Sequence, residues 1–366
     1  MENTDLRQGH QARKWKQDSQ ARKRKQGTQD GKGQLMNDDG DSDLEPQIVF
    51  NSKVRKEAYH DVVNFTYLND CTRTEDDCLQ FCQHYGLLPK TIHCHKCGVY
   101  LVKLQKNSRG KKEIFCFRCN NRSCRASMSV KRNTWFHQSR IDMKKNLILT
   151  YMFVMQADLN MAIRETSGPS FNFLTTSTET VTDLYTQCRK VCAESLYGGN
   201  DSWQIGGTNY TVELDITSFG KREFVVGRQV QTHHVVAGIC RESDQCFFVP
   251  IENLSEDDVL GVIVKRVEQG TIIITEASPL YMKIPDLGYR HRVSTNSCFD
   301  KDQASNNSTN LVKATVSSMK KHMPTNVNKK NINGYLAELL WRRQNKDKKC
   351  LFVSFLKEVA RLYPGL

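Results

Sequence analysis

The sequence predicts an α+β protein of several domains, and three features of the chain predict it. Four cysteines stand in two close pairs within a strongly basic segment. Apolar residues then recur at helical spacing from Ile141 onward, and beyond residue 205 short alternating strands surround one further helix. The 366 residues suffice for two or three domains with ordinary cores. We therefore expect a small metal-bound module, a helical segment and a mixed α/β domain, in that order.

Residues 1–46 are predicted to form a disordered, charged tail. The tail repeats a basic segment at 11–17 and 20–26 and contains almost nothing that could pack into a core. Its basic run at 22–25 is typical of a nuclear import signal, so we expect a nuclear protein; a merely solvated linker is the alternative.

The chain shows no secretory signal and no run of about 18 apolar residues, so we expect neither export nor a membrane partner. In the reducing compartment that this implies, closely paired cysteines indicate a metal site rather than disulfides. Residues 47–90 should form a short helical lead-in, because Thr74 can cap a helix whose apolar side includes Phe81 and which Gly86 ends.

Residues 91–137 are predicted to form a zinc ribbon. Thiolates paired across a short hairpin suit tetrahedral zinc, and so small a module would need the metal free energy of about 10 kcal/mol or more to fold. The first choice of ligands is Cys94, Cys97, Cys119 and Cys124. Cys116 stands three residues before Cys119 and is an alternative ligand, and His93 and His95 are further candidates.

The charge around these cysteines indicates a nucleic-acid partner. Residues 90–148 contain fifteen Lys or Arg against only Glu113 and Asp142, an excess that equals the net charge of +13 of the whole protein. The candidate phosphate contacts are Lys111, Lys112, Arg118, Arg122, Arg125, Lys131 and Arg132, with Lys320, Lys321, Arg342 and Arg343 as a second surface. Plain solvated faces are the alternative. Trp135 and Trp341 are predicted to anchor cores rather than to stack on bases.

Residues 138–200 are predicted to form a helical domain with three helices. They lie near 141–154 and 158–165 and from Thr176 onward, where Glu179 completes a capping box. The link between the last two passes through Gly168 and Pro169 and is longer than the tight turn of a helix-turn-helix. A packing role and a base-reading role therefore both stay open.

Residues 205–345 are predicted to form a ribonuclease H-like mixed α/β domain, followed by a C-terminal helix at 346–366. The strand at 210–216 alternates apolar residues with Glu213 and Asp215, and Glu276 directly follows a wholly apolar strand. The remaining elements are strands at 233–240 and 245–251, a helix at 255–267 and the apolar strand at 271–275. Acids at the ends of adjacent central strands of such a sheet can hold divalent metal ions.

Several motifs occur in an order that resembles a known family. They lie at 129–132 with 135–136, 178–185 with 188–192, 205–207, 212–215 with 219–221, 270–274, 287–289, 320–324 and 335–343. This order resembles that of the Merlin-type DNA transposases and the related bacterial insertion-sequence transposases of the DDE superfamily, which carry an ISXO2-like transposase domain. The resemblance implies a nuclease and strand transferase that uses two Mg or Mn ions on double-stranded DNA, usually as a homo-oligomer.

The catalytic positions implied by the resemblance are altered in this chain. Asp215 fills the first position, Glu276 stands where the family has an aspartate, and Lys313 stands where it has an acid or amide. Lys320, seven residues later on the same helical face, keeps the family's basic position. Asn310 is the alternative third ligand if the register shifts by three residues.

A lysine at the third position opposes metal binding. An ammonium group about 4 Å from a divalent ion is repelled by roughly 8 kcal/mol at an effective dielectric of 20. We therefore predict a degenerate or domesticated transposase that binds DNA with little or no cleavage and holds structural zinc, with Mg or Mn only if the acidic site functions. The alternatives are an active cut-and-paste transposase and a zinc-ribbon module that binds RNA or protein on an inherited scaffold.

Overall fold

The computed structural model describes residues 62–109, 112–137, 139–171, 174–198, 203–219, 224–225, 228–229, 233–294, 308–324, 327 and 329–365. All of them belong to the compact unit Ala58–Leu366, and the other unit is Met1–Glu57. The predicted tail, its basic run at 22–25 and Lys111 lie outside the described residues. Within the described part of the chain, no helix combines the length and the apolar character needed to cross a membrane.

Two short helices, α1 (Phe65–Asp70) and α2 (Glu75–His84), open the described chain. The Thr74 side chain accepts a hydrogen bond from the backbone N–H of Asp77, whose carboxylate accepts one from the backbone N–H of Thr74. This capping box fixes the start of α2 and confirms the predicted cap. Gly86, with a φ of 75°, turns the chain away after the helix.

The cysteine-rich segment folds into short antiparallel strands. They are β1 (Ile92–His93), β2 (Tyr100–Leu101), β3 (Leu104–Arg109), β4 (Lys112–Arg118) and β5 (Ser127–Ser129). β1 pairs with β2, and β3, β4 and β5 form a second small sheet. Phe117 and Val130 are buried and contribute to the core of the neighbouring helices, so this segment does not rely on its own interior alone.

Three helices follow, each begun by a polar side chain that accepts a backbone hydrogen bond. They are α3 (Met143–Val154), α4 (Leu159–Glu165) and α5 (Thr178–Tyr197). The cap of α5 is Ser177 and not the predicted Thr176. Thr176 is buried, and its hydroxyl donates to the backbone carbonyl of Thr166, so it joins α4 to α5 instead.

The described part of the chain from residue 205 onward has strands on both sides of one helix and ends with three helices. Their bounds are β6 (Ile205–Gly206), β7 (Thr211–Phe219), β8 (Phe224–Val225), β9 (Arg228–Gln229), β10 (His233–Cys240), β11 (Cys246–Ile251), α6 (Glu256–Arg266), β12 (Val267–Glu268), β13 (Ile272–Thr275), β14 (Arg290–Val293), α7 (Asn310–His322), α8 (Lys329–Gln344) and α9 (Leu351–Leu362). The predicted strands and the helix between them are confirmed, with bounds shifted by at most three residues. β14 was not predicted, because its sequence Arg-His-Arg-Val lacks an apolar run.

A five-stranded mixed sheet forms the centre of the part of the chain that begins at β6. Its strand order is β11-β10-β7-β13-β14. β10 is antiparallel to both β11 and β7, whereas β13 is parallel to β7 and β14 is parallel to β13. The architecture is therefore mixed α/β, as predicted.

Helices cover both faces of the central sheet. α7 and α8 pack on one face, where Val316 and Leu336 join the apolar core, and α6 packs on the other face. Val212 and Leu214 of β7 belong to the α6 side. Because side chains alternate along a strand, Glu213 and Asp215 face α7.

The C-terminal helix α9 packs into the same core as α3 and α5. Its Phe355 lies edge-on to Trp341, with ring centroids 5.4 Å apart. Trp135 donates a hydrogen bond of 2.9 Å from Nε1 to the Oδ1 atom of Asn146. Both tryptophans are buried, which confirms them as core anchors.

Candidate functional site

The structure brings Cys94, Cys97, Cys119 and Cys124 together, with their sulfur atoms all within 4.8 Å of one another. The Sγ atoms of Cys94 and Cys124 are 3.7 Å apart, and those of Cys97 and Cys119 are 3.4 Å apart. Four thiolates held tetrahedrally at about 2.3 Å from zinc would lie about 3.8 Å apart. The backbone N–H groups of Cys97 and Lys96 lower the pKa of Cys94 to about 6, which favours its thiolate, whereas burial raises the pKa of Cys119 to about 12. This cluster could therefore hold a metal ion such as zinc.

Two similar turns place these sulfur atoms. Gly98 follows the first cysteine pair with a φ of 72°, and its N–H donates to the carbonyl of Cys94. Arg125 follows the second pair with a φ of 43°, and its N–H donates to the carbonyl of Asn121. Both turns need a left-handed residue at this point, which glycine adopts without strain and arginine does not.

The alternative ligands lie outside the sulfur cluster. Cys116 is a buried residue of β4. His93 Nδ1 is 3.2 Å from the carbonyl oxygen of Gly98, and its ring packs beside Tyr100. His95 lies between the first pair of cysteines and is not part of the cluster. Among the residues that the structure describes, the four cysteines of the first choice are thus the ones whose sulfur atoms lie together.

The basic residues around the cysteines are mostly exposed. Arg118, Arg122, Arg125 and Arg132 are exposed and Lys131 is half-buried, and three of the four arginines flank or lie between the second pair of cysteines. Lys112 belongs to β4, and its side chain lies outside the part that the structure describes.

Lys145, in contrast, does not belong to the basic surface. Its side chain is buried with Nζ 4.8 Å from the centroid of the Phe171 ring, and burial lowers its pKa.

The second predicted basic surface is smaller than expected. Lys320 and Lys321 are exposed at the end of α7. The Arg342 side chain is only 11% exposed, pairs with Glu338 and donates to two backbone carbonyls at the end of α3. Arg343 pairs with an aspartate in the turn between β10 and β11. The prediction that Arg342 contacts DNA is therefore corrected: its guanidinium joins α8 to α3.

The two predicted acids meet at one edge of the central sheet. Glu213 of β7 is in register with Ile274 of β13, so two residues further along these parallel strands Glu276 comes level with Asp215. Asp215 is half-buried and Glu276 is exposed. Burial, and after it the charge of Glu276, raises the pKa of Asp215, while Lys313 and Lys320 act to lower it.

Lys313 of α7 lies beside this pair of acids. Its ammonium group forms an ion pair with the carboxylate of Glu276. Among the residues that the structure describes, Asp215, Glu276, Lys313 and Lys320 bring two carboxylates and two ammonium groups together here, so the formal charges of these four side chains cancel. Such a site does not fit a pair of divalent cations, which need several acids to hold them about 3.5 to 4 Å apart. Among the described contacts, Glu276 pairs with Lys313 and not with Asn310, the alternative third ligand.

Glu213 has a structural role that the sequence analysis did not assign. It is 1% exposed; one carboxylate oxygen accepts from Arg241 Nε at 2.7 Å, and the other accepts from the backbone N–H of Val312 at 3.0 Å. Arg241 also donates to the carbonyl of Ser308 at 2.6 Å. This network fixes the start of α7, the helix that carries Lys313. No local signal separates Glu213 from Asp215, because both acids alternate with the apolar residues of β7.

Comparison with known proteins relates residues 206–344 to transposases. Residues 206–344 match the family model of the ISXO2-like transposase domain. No curated protein matches the chain significantly. A chain in the cryo-EM structure of the simian T-cell lymphotropic virus intasome in complex with the PP2A regulatory subunit B56 gamma is similar with 14% identity and a TM-score of 0.26, over 46% of this chain and 60% of that one. This match spans less than two thirds of that chain, and its low score supports no inference about fold or function. The segment with Asp215, Glu276 and Lys313 is thus related to ISXO2-like transposase domains.

Proposed function

We propose that this protein is a transposase-derived DNA-binding protein whose DDE-type site does not support metal-dependent cleavage. The observation that carries the proposal is the ion pair between Lys313 and Glu276 beside Asp215. The match of residues 206–344 to a transposase domain supports the origin. An ammonium group within the acidic edge supports the loss of cleavage, because it cancels the charge that would attract a divalent cation.

The finer parts of the proposal are a Merlin-type origin, a ribonuclease H-like domain and a zinc ribbon. The mixed sheet, with three antiparallel strands followed by two parallel ones, supports the second part. The four clustered sulfur atoms support the third. A nuclear location and a homo-oligomeric state complete the proposal; the first comes from the basic tail and the second from the family resemblance.

Double-stranded DNA is the proposed partner because exposed arginines surround the cysteine cluster. Phosphate-driven affinity falls steeply with salt, and removing one contact reduces the slope of log K against log salt by about 1. Arg122→Ala should show this loss for a labelled duplex between about 50 and 200 mM salt. Lys357→Ala, an exposed lysine of α9, is the matched control and should bind like the wild type. A tighter complex with RNA than with DNA would contradict the proposal and favour an RNA-binding module.

Cleavage is tested on a supercoiled plasmid that carries matched terminal repeats, in the presence of Mg²⁺ or Mn²⁺. We expect the wild type to nick no more than Asp215→Asn does. Metal-dependent nicking by the wild type that Asp215→Asn abolishes would overturn the proposal and identify an active transposase.

A further inference from the structure

A cavity of about 440 Å³ lies away from both sites described above. Its walls come from α5, β11, the end of α6 and the first turns of α8. Ligand sites for small molecules commonly measure about 300 to 1,000 Å³, so this volume suits a ligand larger than a simple ion.

The charged residues that line this cavity are all basic. They are Arg189, Lys190, Arg266 and Lys330. The Arg189 guanidinium pairs with Glu338 and stacks on Tyr335, with 3.8 Å between Cζ and the ring centroid, so its charge is partly neutralised. Lys190 and Lys330 are exposed at the rim. This arrangement complements an anionic group at the mouth of the cavity.

The interior of the cavity is apolar and aromatic. Phe248 and Leu336 are both buried at 2% exposure or less, and Tyr197 adds a half-buried ring. Asn331 and Asn333 line the same cavity from α8. An asparagine amide can donate and accept at once, as the edge of adenine requires. Apolar walls, an amide pair and a cationic rim together suit a planar base that carries a phosphate.

We propose that this cavity binds a phosphorylated nucleoside, with the base against Phe248 and Tyr197 and the phosphate near Lys190 and Lys330. The proposal goes beyond the function proposed above and does not depend on it, since it involves neither the cysteine cluster nor the acidic edge. The same chemistry could come from a free nucleotide or from an unpaired nucleotide at the end of a DNA strand.

Two titrations of the full-length protein separate these sources. In the first, deoxyadenosine monophosphate is titrated by calorimetry beside deoxyadenosine and inorganic phosphate. In the second, a labelled duplex with an unpaired, 5′-phosphorylated end is compared with the blunt duplex by fluorescence anisotropy. The variants are Lys190→Ala and Lys330→Ala, and Lys357→Ala is the control. Thermal melting verifies that each variant is folded.

We expect the monophosphate or the unpaired duplex end to bind at least about tenfold more tightly than its matched comparison, and each lysine variant to lose about tenfold. Binding of the free monophosphate identifies the first source, and binding of the unpaired end alone identifies the second. The inference is overturned if neither probe binds, if inorganic phosphate binds as tightly as the monophosphate, or if the folded variants bind like the wild type. If Arg122→Ala binds the duplex like the wild type, which would contradict the proposed function, the expected results of these two titrations do not change.

Discussion

Burial and neighbouring charges together set the pKa of Asp215. Burial and the nearby carboxylate of Glu276 raise the pKa of Asp215, and the ammonium groups of Lys313 and Lys320 oppose this shift. The ion pair between Lys313 and Glu276 is itself about 40 to 50% exposed, so it contributes little to stability. Its importance lies in the ammonium group of Lys313, which it holds beside the two acids.

The raised pKa of Asp215 predicts a pH-dependent effect on stability. The folded protein holds the proton of Asp215 more tightly than the unfolded chain, so this group lowers the free energy of unfolding as pH rises from the ordinary aspartate pKa through the raised folded value. Asp215→Asn should therefore stabilise the fold, and more at about pH 7 than at about pH 3, where the carboxyl group is largely protonated in both states, as measured by urea denaturation. A variant less stable than the wild type at both pH values would show that the ionised carboxylate supports the fold.

Arg125 allows backbone strain to be separated from DNA contact. Its left-handed conformation costs about 1 kcal/mol, which glycine would avoid. Arg125→Gly should unfold at higher denaturant concentration but bind duplex DNA more weakly, with the salt slope reduced by about 1. Arg125→Lys keeps both the charge and the strain, so it should match the wild type in each assay. Equal DNA binding by Arg125→Gly would remove this residue from the proposed surface.

At the level of the secondary-structure elements, the placement of α7 depends on Glu213 of β7, which accepts a hydrogen bond from the backbone N–H of Val312 and forms an ion pair with Arg241. Glu213→Gln leaves Arg241 without its charged partner and should cost about 3 kcal/mol in urea denaturation. Amide exchange in the first turn of α7 should increase as well. Glu256→Gln breaks an exposed pair with Lys283 and should cost less than about 1 kcal/mol. Equal losses in the two variants would argue against this role for Glu213.

The strands of the cysteine-rich segment should depend on metal. Cys97→Ser removes one of the four clustered sulfur atoms at an exposed position, so we expect loss of bound zinc and of several kcal/mol of stability. Cys116→Ser changes a buried cysteine outside the cluster and should keep one zinc per chain. Metal analysis by mass spectrometry distinguishes the two variants. Full zinc content in Cys97→Ser would exclude the four-sulfur site.

Local features of the sequence predicted many of these elements, and long-range contacts account for what it missed. The capping box at Thr74 and the alternation of apolar and polar residues in β7 each depend on a few adjacent residues, so both could be predicted. The hydrogen bond from Arg342 to the end of α3 joins residues 188 positions apart. No pattern near Arg342 shows that its charge is used inside the protein.

The acidic edge shows the same limit within the candidate site. Asp215 and Glu276 could be placed at the ends of adjacent strands from the chain pattern alone, and the family resemblance suggested Lys313. The support that Glu213 gives to α7 could not be predicted from the sequence, because it depends on Arg241 and on a helix that begins almost a hundred residues later.

Over the whole molecule, the basic excess and the acids at the sheet edge lie in regions with separate apolar cores. The cysteine-rich segment, α3, α5 and α9 share one apolar core, and the central sheet has its own core on each face. The basic excess lies in the first region, whereas the acids that would hold metal lie in the second. The DNA binding that we propose therefore does not require metal binding at the sheet edge.

The most direct test of this account is a titration with Mn²⁺ followed by electron paramagnetic resonance. The wild type, Asp215→Asn and Lys313→Glu would be compared. We predict that the wild type shows no Mn²⁺ binding beyond that of Asp215→Asn, whereas Lys313→Glu, which replaces the ammonium by a third acid, gains a site. Mn²⁺ binding by the wild type that Asp215→Asn removes would contradict the account.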